Sequence, residues 1–375
     1  PLGVVQVGKG FRNEVSPRQS LYRLREFSMA EAEIFFDPED KKHPRFNDVA
    51  NDTLTVIPAG GTEQMATIGS LLESGVIGNQ ALAYYVALTR RFLLAVGIDE
   101  QKLRFRQHAP DEMAHYATDC WDAEILTALG WIECVGIADR TAYDLTAHME
   151  ATGEDMTAFR RHDEAREETR RRVIPDMAKL GPEFKGNAKD IADRLVEMEP
   201  SGDGVTVTVD GEDIEIDPEF YEVVEEDVTI TGESFIPHVV EPSYGIDRII
   251  YCILEHNYVH GEKEGETYVT LQLPPDIAPV TAGVFPLVSK DELPDIAWDI
   301  ADELRSEGIL THYDEGGSIG RRYARMDEIG TPFCITVDFD TLKDDTVTVR
   351  YRDTTEQERV HRDELPGWLQ ERIAR

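Results

Sequence analysis

The chain has 375 residues, 41% of them hydrophobic, so it can bury a sizeable core and is long enough for about two domains. Its 74 acidic residues outnumber its 38 basic residues, and the formal net charge of −36 argues against nonspecific attraction to nucleic acid in dilute buffer. No apolar run approaches the ~20 residues that a membrane helix needs, and the first residues lack the basic and apolar regions of a secretory signal.

The acidic residues are spread along the whole chain rather than gathered in a tail. In about 1 M salt the Debye length falls to about 3 Å, which screens most of their mutual repulsion. We therefore interpret the surface as an adaptation to a salty, halophilic cytoplasm; an ordinary acidic enzyme is the alternative. The cysteines are far apart and form no CxxC pair, as expected of reduced thiols in a cytoplasmic protein. They are Cys120, Cys134, Cys252 and Cys334.

Residues 4–36 are predicted to form a strand, a polar turn at 15–20 and a second strand. Arg12 and Glu14 are two apart on the first strand and so share one face. The matching face of the second strand is predicted to carry Arg23, Arg25, Phe27, Met29, Glu31 and Glu33. Such a face is either a solvated sheet surface or a binding surface for a phosphate, an amino group and an aromatic base.

Apolar residues at helical spacing predict a helix over about 79–96, stopped by Gly97. A further block of strands and helices is expected over 103–148. Within it, Glu133 and Arg140 interrupt an apolar strand, where a charge lies either at the strand edge or in a functional site. His108, His115 and Cys120 match no strong zinc spacing.

Residues 155–235 differ in character and are interpreted as an insertion. They are predicted to contain an Arg-rich helix over 160–172, a short helix near residue 190, and a β-hairpin, VTVTVDGEDIEI, with Asp210 and Gly211 as its turn.

The segment EPSYGIDRIIYCILEH, residues 241–256, is predicted to pass from a strand into a helix at Gly245. Arg248 lies in the first turn, where a positive charge opposes the helix dipole. Either an anionic ligand compensates it, or it pairs on the surface with Asp247 or Glu241. The buried stripe of this helix is predicted to be Ile246, Ile249, Ile250, Ile253 and Leu254.

The charged stretch HGEKEGE, 260–266, is expected to be a linker. Beyond it, strands alternating with helices at 291–307 and 318–329, then a strand at 333–338 and a hairpin, predict a small α/β domain.

Several of these stretches together resemble the motifs of one enzyme family. FRNEVSPR with LYRLREFSMAEAE resembles motif 2 of class II aminoacyl-tRNA synthetases, and EPSYGIDR resembles motif 3. RFRQHAPDEMAHYATDCWDAE and GWIECVGIADRTAYDL are similar to the archaeal and eukaryotic type of glycyl-tRNA synthetase. The segment from VFPLVSKDEL through GGSIGRRYARMDEIGTPFCITVD resembles the anticodon-binding domain shared with threonyl-, prolyl- and histidyl-tRNA synthetases.

The resemblance implies an α+β fold. A class II antiparallel-sheet catalytic domain would occupy 1–265, with the insertion at about 155–235, and a smaller α/β anticodon-binding domain would occupy 266–375. It implies a glycine–tRNA ligase that uses ATP and Mg²⁺ to form glycyl-adenylate and charge tRNA(Gly). The partners would be tRNA(Gly), glycine and a second copy in a homodimer, without membrane or DNA, in the cytoplasm.

The resemblance also implies roles for individual residues. Arg12 would grip the α-phosphate, Glu14 would accept from the adenine amino group, and Phe27 and Arg248 would enclose the base. Glu133 would hold Mg²⁺ near the phosphates. The implied catalytic residues are Arg12 and Arg248. The implied ATP-binding residues are Arg12, Asn13, Glu14, Tyr22, Arg23, Leu24, Arg25, Glu26, Phe27, Glu133, Cys134, Gly245, Ile246, Asp247 and Arg248. The implied glycine-binding residues are Phe27, Ser28, Met29, Ala30, Glu31, Arg140, Glu241, Pro242, Ser243, Tyr244 and Gly245.

Two readings of the Arg-rich segment at 160–172 stay open: a solvated face with ion pairs, or a contact to the tRNA acceptor stem. The family also carries motif 1 ahead of motif 2, and only ten residues precede FRNE here. We therefore expect an N-terminally incomplete catalytic domain. A synthetase-like accessory or tRNA-binding protein without aminoacylation activity is the alternative function.

Overall fold

The computed structural model describes residues 2–17, 22–198, 204–209, 211–263 and 266–373. In chain order its strands are β1 Leu2–Phe11, β2 Glu26–Phe36, β3 Thr53–Ile57, β4 Gln64–Thr67, β5 Leu103–Gln107, β6 Asp119–Thr127, β7 Gly130–Thr141, β8 Ala158–Pro175, β9 Val205–Val209, β10 Glu212–Ile216, β11 Tyr221–Phe235, β12 His238–Gly245, β13 Tyr258–Lys263, β14 Glu266–Leu271, β15 Ala282–Pro286, β16 Thr311–Tyr313, β17 Phe333–Val337, β18 Thr346–Tyr351 and β19 Gln357–His361. Its α-helices are α1 Ile68–Glu73, α2 Gln80–Ala95, α3 Tyr143–Thr152, α4 Met177–Phe184, α5 Ala188–Glu197, α6 Ile246–Asn257, α7 Leu293–Ser306, α8 Ile319–Ile329, α9 Thr341–Asp344 and α10 Leu365–Ile373.

The chain divides into two compact units, 1–152 with 237–375, and 153–236. The first unit is built on an eight-stranded sheet in the order β1-β2-β12-β7-β6-β5-β3-β4. Neighbouring strands run antiparallel except β3 and β5, which are parallel. Buried apolar side chains of helices α2 and α6 pack with those of this sheet in one hydrophobic core. The prediction of an α+β fold with an antiparallel sheet is confirmed.

The helix predicted over about 79–96 is confirmed as α2, and Asn79 caps it by accepting from the backbone N–H of Leu82. The passage from strand to helix at Gly245 is also confirmed. The buried stripe of α6 is narrower than predicted: Ile249, Cys252 and Ile253 are buried, whereas Ile250 and Leu254 are 48% and 45% exposed. The helix packs on the sheet from one side only, so positions about 100° around the axis from the stripe reach the surface.

The predicted strand face that Arg12 and Glu14 share with Arg23 and Arg25 is wrong. Strand β1 ends at Phe11, paired with Glu26, so these four charged residues lie beyond the ends of both strands. A loop holds them together: the backbone N–H of Arg12 donates to the carbonyl of Arg25 at 3.0 Å, and Arg23 Nε donates to Glu14 Oε2 at 2.7 Å. Residues 18–20 of the predicted turn lie outside the described residues.

The Arg-rich helix predicted over 160–172 is wrong, because these residues belong to β8, which forms an antiparallel ribbon with β11. The segment has no apolar stripe that a helix could bury, whereas β11 places acidic side chains opposite it. Arg171 Nε lies 3.0 Å from Glu225 Oε1, and Arg160 pairs with Glu233.

The rest of the second unit has a small core of its own, built from α4, α5 and the β9–β10 hairpin. The predicted hairpin and the helix near residue 190 are confirmed. The hairpin turn residue Asp210 lies outside the described residues.

The expected linker at 260–266 is wrong in its described part. Residues 258–263 form β13 and pair with β14, and residues 264 and 265 lie outside the description. Further along, β16-β15-β17-β18-β19 form a five-stranded sheet with three parallel strands and an antiparallel end. Helices α7 and α8 and the strand at Phe333–Val337 confirm the predicted α/β arrangement. Among the described residues, no helix is long and apolar enough to cross a membrane.

Candidate active site

A cavity of about 520 Å³ lies over the central strands of the eight-stranded sheet. Its floor follows from the strand register. Ser243 on β12 pairs with Glu31 on β2 and with Gly136 on β7, and Gly136 pairs with Asp122 on β6. These four residues therefore form one row across four strands, and all of them line the cavity.

A second row runs parallel to the first, two residues along each strand. Glu241 on β12 pairs with Ala138 on β7, which pairs with Cys120 on β6. Gly136 and Ala138 put almost no side chain between the two walls. Two strand spacings of about 4.8 Å therefore separate the β12 wall from the β6 wall.

The wall formed by β2 and β12 carries carboxylates with one cation beside them. Ser243 Oγ donates to Glu31 Oε1 at 3.2 Å. Arg140 is hydrogen-bonded to Glu241 and donates from Nε to Asp144 Oδ2 at 2.8 Å. Burial raises the pKa of Glu241 above its ordinary value, even though Arg140 acts against that rise. This wall can therefore accept a cationic group and present a guanidinium to an anionic one.

At the other end of the cavity, basic side chains meet an aromatic ring. The Arg12 guanidinium carbon lies 5.7 Å from the centre of the Phe27 ring. Arg248 donates to the backbone carbonyls of Glu133, at 2.6 Å, and Tyr22, at 2.7 Å. The surface pairing of Arg248 with Asp247 or Glu241 that the sequence left open is not the observed arrangement. Two fixed carbonyls orient its guanidinium at the cavity instead.

Asp247 has a structural partner of its own, because its Oδ2 accepts from the backbone N–H of Ser28 at 2.7 Å. This bond ties the first turn of α6 to β2. It places the EPSYGIDR segment against the LYRLREFSMAEAE segment at the same cavity.

The cavity collects most of the residues that the sequence singled out. The predicted residues that line it are Arg12, Glu14, Tyr22, Arg23, Leu24, Phe27, Ser28, Met29, Glu31, Glu133, Cys134, Arg140, Glu241, Ser243, Gly245, Asp247 and Arg248. The predicted residues that do not line it are Asn13, Arg25, Glu26, Ala30, Pro242, Tyr244 and Ile246.

Two of the predicted side chains have partners away from the cavity. Tyr244 shares a hydrogen bond of 3.0 Å with Thr89 of α2. The Cys134 thiol is buried 3.9 Å from Cys252 Sγ, and that contact and burial raise its pKa. Because the thiol faces α6, Cys134 lines the cavity through its other atoms.

Sequence reasoning did not assign the β6 wall and the loop before it to the site. The residues missed there include His108, Glu112, Tyr116, Cys120 and Asp122. Burial and the charge of Glu133 raise the pKa of Asp122 to about 6, against the opposing effect of His108. The alternation in DCWDAE could have found Cys120 and Asp122, since residues two apart on a strand share a face.

Comparison with known proteins places the chain in a family. Residues 281–372 match the model of an anticodon binding domain. The chain is 50% identical over 373 residues to a glycine–tRNA ligase of Archaeoglobus fulgidus, covering 99% of this chain and 65% of that protein.

Two further relatives carry the same name. The chain is 52% identical to a glycine–tRNA ligase of Methanothrix thermoacetophila, covering 97% of this chain and 64% of that one. It is 49% identical to one of Methanocaldococcus jannaschii, covering 100% of this chain and 68% of that one. The chain thus spans about two thirds of the length of these relatives, and it belongs to the glycine–tRNA ligase family.

Proposed function

We propose that the chain activates glycine with ATP to form glycyl-adenylate and transfers the glycyl group to tRNA(Gly). The observation that carries this proposal is that one cavity holds both a carboxylate wall with a guanidinium and, at its other end, basic side chains beside an aromatic ring. The first set matches a small zwitterion, and the second matches a nucleotide.

Glycine would bind against the β2–β12 wall. Its ammonium group would lie among Glu31, Glu241 and Ser243, and its carboxylate would face Arg140. In the structure Arg140 and Glu241 neutralise each other, so neither is a buried charge without a partner. Glycine offers no side chain to hold, so selection would depend on excluding larger amino acids by overlap, and smaller competitors do not exist.

ATP would bind at the other end. Arg12 would contact the α-phosphate, Phe27 would stack against the adenine, and Arg248 would cover its other face. Glu14 would accept from the adenine amino group after exchanging its contact with Arg23. Arg12 would stabilise the charge that develops on the α-phosphate as the glycine carboxylate attacks it in line. Catalysis would thus rest on positioning and charge neutralisation.

Mg²⁺ fits this cavity because the exposed Glu133 carboxylate lines it and is close enough to Asp122 to raise the pKa of that residue. Oxygen ligands of this kind suit Mg²⁺, together with phosphate oxygens. When bound, the ion would supply neutralisation of phosphate charge.

We further propose that the anticodon-binding domain contacts tRNA(Gly), that the active form is a homodimer, and that it works in the cytoplasm. The domain match and the name shared by the relatives support the tRNA contact. The homodimer and the cytoplasmic location are proposed from the resemblance of the sequence motifs alone. Because the chain has a net charge of −36, an RNA contact would need a local patch of basic side chains on the otherwise acidic surface.

Glycine-dependent ATP–pyrophosphate exchange at molar KCl tests the activity. It should be measured on this chain and on the chain extended to the length of its relatives. Arg12→Ala should lower the exchange rate of the active form by about 10²–10³-fold. Arg45→Ala removes an exposed arginine outside the cavity and should leave the rate unchanged.

An extended protein that shows no ATP–pyrophosphate exchange but still binds tRNA would contradict this proposal. That outcome would favour the alternative, an accessory tRNA-binding protein without aminoacylation activity.

A further inference from the structure

A cluster of three potential metal ligands lies on the β6 wall of the cavity. Ligand atoms of His108, Cys120 and Asp122 all lie within 4.8 Å of one another. We call these three residues the His–Cys–Asp cluster. All three line the cavity, on the opposite side of the Gly136 and Ala138 floor from Glu31 on β2 and Glu241 on β12.

Strand pairing brings the cluster together. Cys120 and Asp122 are two apart on β6, so they share a face. His108 follows the end of β5, and its backbone N–H donates to the Cys120 carbonyl at 2.9 Å, which continues the ladder by one residue. The backbone thus fixes all three positions.

One ring nitrogen of His108 faces the rest of the cluster. Nε2 lies 2.7 Å from Asp122 Oδ2, so this nitrogen and the carboxylate point at the same space. Because the two nitrogens of an imidazole point in different directions, Nε2 is the atom of His108 that would ligate an ion shared with Asp122. Nδ1 lies on the other edge of the ring, where it is buried and has no hydrogen-bond partner in the described structure.

The carboxylate of the cluster, Asp122, is oriented partly towards the cavity. Asp122 Oδ2 also accepts a hydrogen bond from Arg106 Nη2 at 3.3 Å. The other oxygen, Oδ1, lies 4.0 Å from the position that a Cβ on Gly136 would take at the cavity floor. The surroundings are acidic, since Glu133 and Glu241 add to the negative potential at Cys120. That potential attracts a cation.

The donor types identify the class of ion. A thiolate, an imidazole and a carboxylate together suit Zn²⁺, whereas Mg²⁺ prefers oxygen ligands alone. Bond lengths of about 2.0–2.3 Å require ligand atoms closer together than 4.8 Å, so the side chains would close by about 1 Å on binding. Three protein ligands leave the fourth tetrahedral position open.

We propose that His108, Cys120 and Asp122 bind one Zn²⁺ ion whose fourth position opens onto the cavity. That position takes an oxygen or nitrogen donor of a small molecule, such as water, an amine or a carboxylate. The site goes beyond the proposed function, and its occupancy can be measured without ATP, glycine or tRNA.

The test is zinc and cobalt binding by the full chain, without an affinity tag, after removal of metals with a chelator. Excess Mg²⁺ is kept in the buffer so that exposed carboxylates are occupied and only a site with nitrogen and sulfur ligands is measured. Co²⁺ reports the ligand directly, because a cobalt–thiolate bond gives a charge-transfer absorption that oxygen and nitrogen ligands do not give.

We expect one Zn²⁺ per chain and a thiolate charge-transfer band with Co²⁺. Cys120→Ser should abolish the band and weaken zinc binding by more than the ~10–100-fold that loss of an outer partner typically costs. His115→Asn is the matched control: its ring packs against Tyr116 and Tyr143, outside the cluster, and binding should not change. Circular dichroism of the metal-free variants checks that each is folded, and His108→Asn replaces Cys120→Ser if that variant is not.

Either of two results would overturn the proposal. The first is the absence of stoichiometric zinc in the presence of Mg²⁺. The second is zinc binding or a charge-transfer band of equal strength in the cluster variants, which would assign the ion to another thiol or to the acidic surface.

Discussion

Among the glycines that line the cavity, Gly136 is the one where an added side chain disturbs the fold least. It lies in the middle of β7, between Ser243 and Asp122 in the cross-strand row. A Cβ built there meets only Asp122 Oδ1, at 4.0 Å, which is an ordinary van der Waals contact. Its φ is not in the left-handed region. Alanine or valine at this position should therefore leave the unfolding free energy unchanged or raise it by about 0.5–1 kcal/mol, because glycine weakens a strand interior.

The same substitutions should remove space from the proposed glycine site. One added methyl group in a close-fitting pocket changes binding by about 1–3 kcal/mol, or 10–200-fold. We expect Gly136→Ala to raise the KM for glycine within that range in pyrophosphate exchange, and Gly136→Val to raise it further. The KM for ATP should change little, since Phe27 lies on β2 opposite Gly10, outside this row.

Gly8→Ala provides the control, because Gly8 is a strand glycine on β1 with nothing within 4 Å of its Cβ position, and it does not line the cavity. Thermal unfolding of each variant separates an effect on the site from an effect on the fold. A folded Gly136→Val protein with the wild-type KM for glycine would refute the assignment of the floor to the substrate.

Four further predictions follow from particular contacts. Gly10→Ala should raise the KM for ATP, because the new Cβ would overlap Met29 Sδ and stand 2.7 Å from the Phe27 ring, so that both side chains would have to move. Asp327→Asn should lower the free energy of unfolding in urea by about 3–5 kcal/mol, because it leaves the buried Arg350, now bonded at 2.9 and 3.0 Å, without its charge partner. The melting temperature should rise from low to molar KCl, because salt screens the acidic surface. Burial raises the pKa of Asp122 to about 6. The folded state therefore binds more protons than the unfolded state between about pH 4 and 6. The contribution of Asp122 to the free energy of unfolding should fall as the pH rises through that window.

Each of these has a contrary outcome. An unchanged KM for ATP in a folded Gly10→Ala protein would contradict the proposed stacking of adenine on Phe27. If Asp327→Asn lowers the free energy of unfolding by less than about 1 kcal/mol, water screens the Arg350–Asp327 pair as it does a surface pair. A flat or falling melting temperature with KCl would contradict the salt adaptation. For Asp122, the stability of wild type relative to Asp122→Asn should decline from pH 4 to 7 in metal-free buffer, and a constant difference would contradict the pKa shift.

The failed prediction of a helix at 160–172 has a clear physical cause. Arg, Glu and Ala are good helix formers, and Glu–Arg spacings within the segment suit helical pairs. The acidic partners in β11 are more than 50 residues away, as in the pair of Arg171 with Glu225, and no local pattern reports them. Tertiary pairing therefore overrode local propensity.

Local patterns by themselves determined a large part of this protein. Helical periodicity and a glycine stop marked α2, and the alternation of strands with helices marked α7 and α8. The motif text identified Arg12, Glu14 and Arg248 with the family they belong to. Alternation along a strand also determined which residues share a face, such as Glu241 with Ser243, because side chains repeat every two residues in extended backbone.

Only the tertiary structure decided which strands are neighbours and in what register. The rows from Glu31 through Ser243 and Gly136 to Asp122, and from Glu241 through Ala138 to Cys120, join residues up to 212 positions apart. Shifting one strand by a single residue would turn every one of its side chains to the other face, so the site exists only in this register. That is the physical reason why the sequence pointed to Arg12 and the proposed nucleotide site, whereas the floor at Gly136 and the His–Cys–Asp cluster emerged from the fold.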